Sequence, residues 1–384
     1  MTAPITVLGA GHAAVTLARE LRKLDAETPL RIITADDGAY YYKPDLSKAL
    51  AAGKDADGLI KQSPDQLREQ LNAEVLTQTP VTRIAPDEHA VYAGDTRYDY
   101  SRLVLALGAE AIRPPFPGDA AARVHTANHR SDYAKFRAAL QPGARVLIVG
   151  AGLIGCEFAN DLAAAGYAVT VADIAGWPLP RLLPEVQGRA LQAGLEQIGV
   201  QWKLENGVQS LNLSGDAIRA EFGDGSGAEF DTVLSAVGLR PHTALARDAG
   251  LECALGIVVD AHLQTSAPDI YAIGDCAQIG GRLLPYILPI AHAARALAPT
   301  LTGTATPAKL PAMPVIVKTP ACPTLVSAPA DVPGAWEVSG EAPDLEALYK
   351  DENGNPIGFA LTGKATAKRA QYAAQMPPVF DPAA

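Results

Sequence analysis

Val146-Leu147-Ile148-Val149-Gly150-Ala151-Gly152-Leu153-Ile154-Gly155-Cys156-Glu157-Phe158 decides the fold. An apolar strand-like run meets Gly-x-Gly-x-x-Gly and passes straight into a helical pattern, with Ile154, Phe158 and Leu162 at i, i+4 and i+8. In such a turn the first glycine permits the sharp reversal and the second lets a pyrophosphate approach the backbone. The third lets helix and strand pack closely. The anion then rests on unpaired N–H groups at the positive end of the helix dipole. A second strand, Val169-Thr170-Val171, closes on Asp173, an acid placed for a ribose diol. A carboxylate there repels a 2′-phosphate, so the unit predicts NADH in preference to NADPH.

The same order of parts stands at the start of the chain. Ile5-Thr6-Val7-Leu8 runs into Gly9-Ala10-Gly11-His12-Ala13-Ala14, with alanine as the third small residue. A helix with Val15, Ala18 and Leu21 on one face follows, and Arg31-Ile32-Ile33-Thr34 closes on Asp36. Each unit continues to a hairpin, at Gly94-Asp95 and at Gly223-Asp224. An apolar strand then ends at a glycine: Leu103–Ala106 at Gly108, and Thr232–Val237 at Gly238. Arg-Pro follows both times, at 113–114 and 240–241. A further strand, Asp269–Asp275, has no glycine turn of its own and is expected to complete the first sheet. The fold class predicted is α/β, with two Rossmann-like three-layer dinucleotide-binding domains and a small α+β C-terminal domain. The first domain is read as discontinuous, 1–115 and 242–300, with the second inserted at 116–241 and the last at 301–384. The final Ala- and Pro-rich residues are expected to be loose.

Composition narrows the function classes. The 384 residues are 48% hydrophobic and 19% charged, an ordinary globular profile. With 32 basic against 42 acidic residues the net charge is −10, which argues against nucleic acid as a partner. No apolar run reaches the length of a membrane span. Met-Thr-Ala-Pro at the start carries no basic leader, and the cytoplasm is the expected compartment. Cys156, Cys253, Cys276 and Cys322 form neither Cys-x-x-Cys nor zinc spacing, so they are read as reduced, mostly buried thiols with no metal site.

In this order, GAGHAA, LVLALGA, GAGLIGCEF, SAVGLRP and IYAIGDCA resemble the FAD-dependent pyridine nucleotide-disulfide oxidoreductase superfamily, over nearly the whole chain up to about residue 300. The resemblance implies FAD in the first fold, at Gly9, Gly11, His12, Ala13, Ala14, Val81, Ala106 and Gly108. Asp36 takes the adenosine ribose and Asp275 the ribityl or phosphate region. It implies NADH in the second, at Gly150, Gly152, Leu153, Ile154, Gly155, Glu157, Asp173, Val237 and Gly238. Disulfide-reducing members carry cysteine just after the first strand–helix–strand unit. The matching stretch, Tyr40-Tyr41-Tyr42-Lys43-Pro44-Asp45-Leu46-Ser47-Lys48, has none. With no thiol relay, electrons leave the flavin directly.

That stretch resembles the reductases that feed iron proteins. LRKLDAETPL, ITADDG, KDADGL, GAGLIGCEFANDL and VKTPACP are similar to the rubredoxin reductases, and the Trp-Ser-Asp-Gln segment of oxygenase-type ferredoxin reductases is missing. The implied activity is hydride transfer from NADH to FAD, then single electrons to the iron of rubredoxin. Rubredoxin is an acidic carrier held in a transient complex, so the docking face is expected to be locally basic. Two alternatives stay open: a [2Fe–2S] ferredoxin reductase, and a redox sensor that binds FAD and NADH without turnover. Alkane degradation is one compatible pathway, and monomer and homodimer are both open. By resemblance, Lys43, Lys48 and Lys318 are cations for the anionic N1–C2=O end of the flavin, and Glu157 pairs with an N-terminal lysine near flavin N5. Each lysine can equally be a solvated surface side chain. His292 is read as structural, the tyrosines at 40–42 as flavin shield or core, and Cys156 as a small buried side chain.

Overall fold

Short strands that are apolar on both faces suit a parallel sheet covered by helices on either side. The computed structural model describes residues 3–329 and 332–383. It opens with β1 (Ile5–Leu8), α1 (His12–Leu24), β2 (Leu30–Ile33), β3 (Ala73–Leu76) and β4 (Arg102–Leu105). A crossing strand, β5 (Ala109–Ala111), leads into the second unit. That unit runs β6 (Val124–His125), α2 (Arg130–Ala139), β7 (Arg145–Val149), α3 (Leu153–Ala164), β8 (Ala168–Ala172), β9 (Gln201–Lys203) and β10 (Thr232–Ser235). The chain recrosses as β11 (Leu239–Pro241), antiparallel to β5, so the outgoing and returning segments lie side by side. It re-enters the first sheet as β12 (Ile270–Ala272), beside β4, and continues to α4 (Ile287–Leu301), packed on α1.

The two five-stranded parallel sheets have matching orders, β12-β4-β1-β2-β3 and β6-β10-β7-β8-β9. They differ in the outer strand: β12 follows its unit in the chain, whereas β6 precedes its own. Register makes the repeat quantitative. Leu8 pairs with Ile33 in the first fold and Val149 with Ala172 in the second. The next residue is Thr34 in one and Asp173 in the other. Asp36 therefore lies two residues beyond the position that Asp173 occupies.

The helices behind the turns differ as well. Helix α1 buries one face (Ala14, Val15, Ala18, Leu21) and leaves a polar face outside. Helix α3 is buried continuously from Gly155 to Leu162, including Glu157, Asn160 and Asp161. Phe158 and Leu162 are in the core, while Ile154, the first member of that stripe, is exposed at the helix start.

The C-terminal part is an antiparallel sheet of β13 (Val315–Val317), β14 (Thr324–Ser327), β15 (Gly334–Glu341), β16 (Asp344–Asp351) and β17 (Pro356–Thr362), in the order β13-β14-β17-β16-β15. The tail departs from expectation. Leu310 and Phe380 exchange backbone hydrogen bonds of 2.8 and 3.1 Å, and Phe380 lies against Gly280, where even a β-carbon would come within 2.6 Å of its ring. An apolar anchor outweighs the local Pro and Ala signal. Among the described residues no helix is long and apolar enough to cross a membrane.

Candidate active site

Both glycine turns are held open by backbone that tolerates no side chain. Gly9 and Gly150 have φ of +108° and +109°, a region open chiefly to glycine. A β-carbon on Gly9 would fall 2.3 Å from the Ala106 carbonyl oxygen, and one on Gly150 2.7 Å from that of Ala236. Gly11 and Gly152 face outward; Gly11 has open space where a β-carbon would point, as a backbone that seats phosphate requires. The third position separates the folds. A β-carbon on Gly155 would meet the Gly150 carbonyl oxygen at 1.9 Å, while α1 accommodates Ala14 fully buried.

The first turn opens into a cleft of about 620 Å³. Gly9, Gly11, His12, Asp36, Lys43, Ala106 and Gly108 line it, as do Tyr41, Arg113, His129 and Arg240. His12 hydrogen-bonds the Tyr40 hydroxyl through Nδ1 at 3.0 Å, and burial, helped by Arg19, lowers its pKa. Both effects favour its neutral form. Ala13 packs on Gly274, whose β-carbon would lie 2.8 Å away, and this contact brings Asp275 to the start of α1. Burial raises the Asp275 pKa against the pull of Lys43. Among the described residues, Lys43 has no ion-pair partner. A seat shaped for phosphate, an acid at the second strand and a cleft that mixes Ala106 and Tyr41 with Lys43 and Arg113 fit the residues expected for FAD.

The two acids behave differently. The Asp36 carboxylate is more than half exposed and receives His129 Nε2 at 3.3 Å. The His129 imidazole, opposed by burial, holds its pKa below the usual carboxylate range. Asp173 instead accepts from backbone N–H groups on both sides, Ala151 at 2.5 Å and Ala175 at 2.8 Å. It ties the glycine turn to the end of β8 and is only partly buried.

A second cluster lies under α3. Glu157 is fully buried. It forms an ion pair with the Lys318 ammonium, accepts the Ser47 hydroxyl at 2.6 Å, and accepts the Lys318 backbone N–H at 3.1 Å. One turn on, Asn160 accepts from the Ala321 N–H at 3.1 Å, and Asp161 accepts from Leu50 and Ala51 N–H at 2.9 and 3.0 Å. A single helix face thus grips the 47–51 segment of the first fold and the 318–321 segment before β14. This revises the expected partner of Glu157. An N-terminal lysine was expected, and the N-terminal stretch sends Ser47 instead.

Other expected residues lie apart from these sites. Lys48 is an exposed surface lysine paired with Asp45 at 2.9 Å, one helical turn away, so it does not reach the cleft. Val81 packs half-buried on the first core, outside the cleft lining. The four cysteines are unpaired. Cys156 donates to the Ala151 carbonyl at 3.4 Å and burial drives its pKa up; burial pushes Cys276 up to about 11. Thiols held protonated in this way are poor nucleophiles. His129, Ser47, Asn160 and Asp161 carry no local signal of their roles, because their partners are far away in sequence.

The family model for pyridine nucleotide-disulphide oxidoreductase matches residues 3–298. The chain belongs to this family. A second model, the rubredoxin binding C-terminal domain, matches 307–376. Among relatives, the rubredoxin-NAD(+) reductase of Alcanivorax borkumensis is 44% identical, covering 98% of this chain and 99% of its own. The nitric oxide reductase FlRd-NAD(+) reductase of Aeromonas hydrophila is 42% identical, covering 94% and 92%. Among solved structures, the covalent putidaredoxin reductase–putidaredoxin complex superposes with a TM-score of 0.88 at 26% identity, over 98% of this chain and 94% of that one. The NADH:rubredoxin oxidoreductase of Clostridium acetobutylicum shares the fold, with a TM-score of 0.80 at 20% identity over 100% and 98%.

Proposed function

We propose that this chain is an NADH:rubredoxin oxidoreductase that uses FAD. The observation that carries the reading is the Glu157–Lys318–Ser47 junction. Ser47 belongs to the stretch where disulfide-reducing members hold cysteine, and Lys318 to the segment matched as rubredoxin binding. A polar junction replaces a thiol relay at the meeting point of all three parts of the chain. We read those parts as 1–115 with 242–300, 116–241, and 301–384, a division supported by β12 joining the first sheet. Four unpaired cysteines suit a reducing, cytoplasmic setting.

When bound, FAD supplies the chemistry, accepting hydride from NADH and returning single electrons to the carrier's iron. The chain's own residues bind and orient. Gly9, Gly11, Ala13 and Ala14 seat the first pyrophosphate on α1, and Asp36 and Asp275 take the two sugar regions. Gly150, Gly152 and Gly155 seat the second on α3, flanked by Leu153, Ile154, Val237 and Gly238, while Asp173 disfavours a 2′-phosphate. Lys43 and Lys318 divide the electrostatic work. Glu157 already compensates Lys318, which therefore contributes position and hydrogen-bond donors. Lys43, with no close ion-pair partner among the described residues, is the cation left to face the anionic end of the flavin.

Steady-state turnover with NADH against rubredoxin, a [2Fe–2S] ferredoxin and a disulfide tests the reading. Rubredoxin is expected to be reduced fastest and the disulfide not at all. Comparable turnover with the disulfide would sink it, and flavin bleaching by NADH with no carrier-dependent recovery would favour the sensor.

A further inference from the structure

We propose that His129 is a positioning residue for the first nucleotide: it fixes the Asp36 carboxylate for the ribose diol and so slows cofactor release. The inference rests on the reading that the first fold takes FAD. His129 is the residue before α2, in the segment that has already crossed to the second fold. The Ser131 backbone N–H donates to its Nδ1 at 3.2 Å. An N–H can only donate, so Nδ1 accepts and the ring proton sits on Nε2. Nε2 faces Asp36 Oδ2 at 3.3 Å, and both side chains line the cleft. The Ser131 bond therefore sets the imidazole tautomer and leaves the Nε2 proton on the side that faces Asp36. An exposed aspartate otherwise rotates freely, and pinning one oxygen leaves the remaining lone pairs aimed for two vicinal hydroxyls.

The neighbouring contacts hold the latch in place. The Arg130 guanidinium joins Asp37 and reaches Asp57 at 2.8 Å, and its backbone N–H donates to the Tyr41 hydroxyl at 3.1 Å. Tyr41 edges against the His129 ring, with centroids 5.8 Å apart. The start of α2 is thus moored to the first fold along one side of the cleft. The His129–Asp36 contact sits at the rim where these moorings meet the cleft.

The test is FAD release from the purified holoprotein, followed by the fluorescence gained on dilution, for wild type, His129→Ala, His129→Asn, Asp36→Asn and His129→Ala/Asp36→Asn. Asparagine is a good helix N-cap but too short to reach Asp36, so it separates the latch from capping. Both His129 variants are expected to release FAD about tenfold faster, the size of one hydrogen bond to a charged group. The double variant should release no faster than Asp36→Asn alone. Wild-type release by His129→Asn would assign His129 to capping alone and overturn the proposal, as would independent, multiplying effects in the double variant. Wild-type protein without retained FAD would overturn the underlying reading together with it.

Discussion

In the first fold the acid of the nucleotide site stands free at the edge of a cleft and is held by a histidine from another part of the chain. In the second fold the acid sits two register positions earlier and is folded into its own glycine turn by two backbone N–H bonds. The helices follow the same division. Helix α1 tolerates Ala14 at the third small position and keeps a polar outer face, whereas α3 admits only Gly155 and is buried on every side from there to Leu162. One architecture thus serves two tenancies. The first site is closed by distant residues, as suits a cofactor that stays. The acid of the second is held by backbone within its own strand–helix–strand unit, as suits a nucleotide that comes and goes.

The sharpest way to break this comparison is to exchange the third small residue. Gly155→Ala is expected to cost the second fold about 1–3 kcal/mol by overpacking, read by thermal melting. The displaced turn should slow flavin reduction by NADH roughly a hundredfold in stopped flow, while bound FAD is unchanged. Ala14→Gly should cost at most about 1 kcal/mol and leave reduction intact. Equal effects in the two folds would erase the distinction.

Next comes the junction under α3. Glu157→Gln leaves the Lys318 ammonium without a countercharge. The loss is expected to approach the ~3 kcal/mol of a broken buried pair, reduced because Lys318 keeps partial contact with water. Rubredoxin turnover should fall more than FAD content does. Asp173→Asn keeps an acceptor for the turn but removes the charge, and the NADH-over-NADPH preference should drop about tenfold in kcat/KM, or ~1.4 kcal/mol. An unchanged ratio would return Asp173 to a purely structural role.

Acid supplies a smaller effect with a defined sign. The folded pKa of Asp36 is depressed, first through His129, so its contribution is present above the ordinary carboxylate range and is lost as pH falls through the depressed value. Retention of FAD should persist through the ordinary range and weaken below it, and in Asp36→Asn this acid-dependent step should disappear. The smallest effect belongs to Cys156→Ala, expected to cost about 1 kcal/mol of stability with no change in turnover.

What was legible in the sequence was local. The glycine spacing, the apolar runs and the acids after β2 and β8 all lie within one unit, so the repeat and the fold class follow from short-range sterics. What was hidden was long-range. Ser47 and Glu157 are 110 residues apart, Lys318 and Glu157 161, and Arg130 and Asp37 93. Lys48 misled because its motif position is right while the nearer Asp45 captures it. The Asp36–Asp173 offset was hidden because spacing from the glycine does not report strand register; only the pairing of Leu8 with Ile33 and of Val149 with Ala172 separates them.

The attachment of Lys318 to Glu157 bears on how such reductases can be recombined. A C-terminal module that merely hung on the outside could be exchanged between chains at its linker. Here the segment entering that module supplies the countercharge and a backbone donor to a carboxylate at the centre of the molecule, and its Ala321 N–H satisfies Asn160. A graft with a different residue at 318 would strand a charge in the heart of its host. A chimera that respects this must carry residues 157 and 318 as a pair.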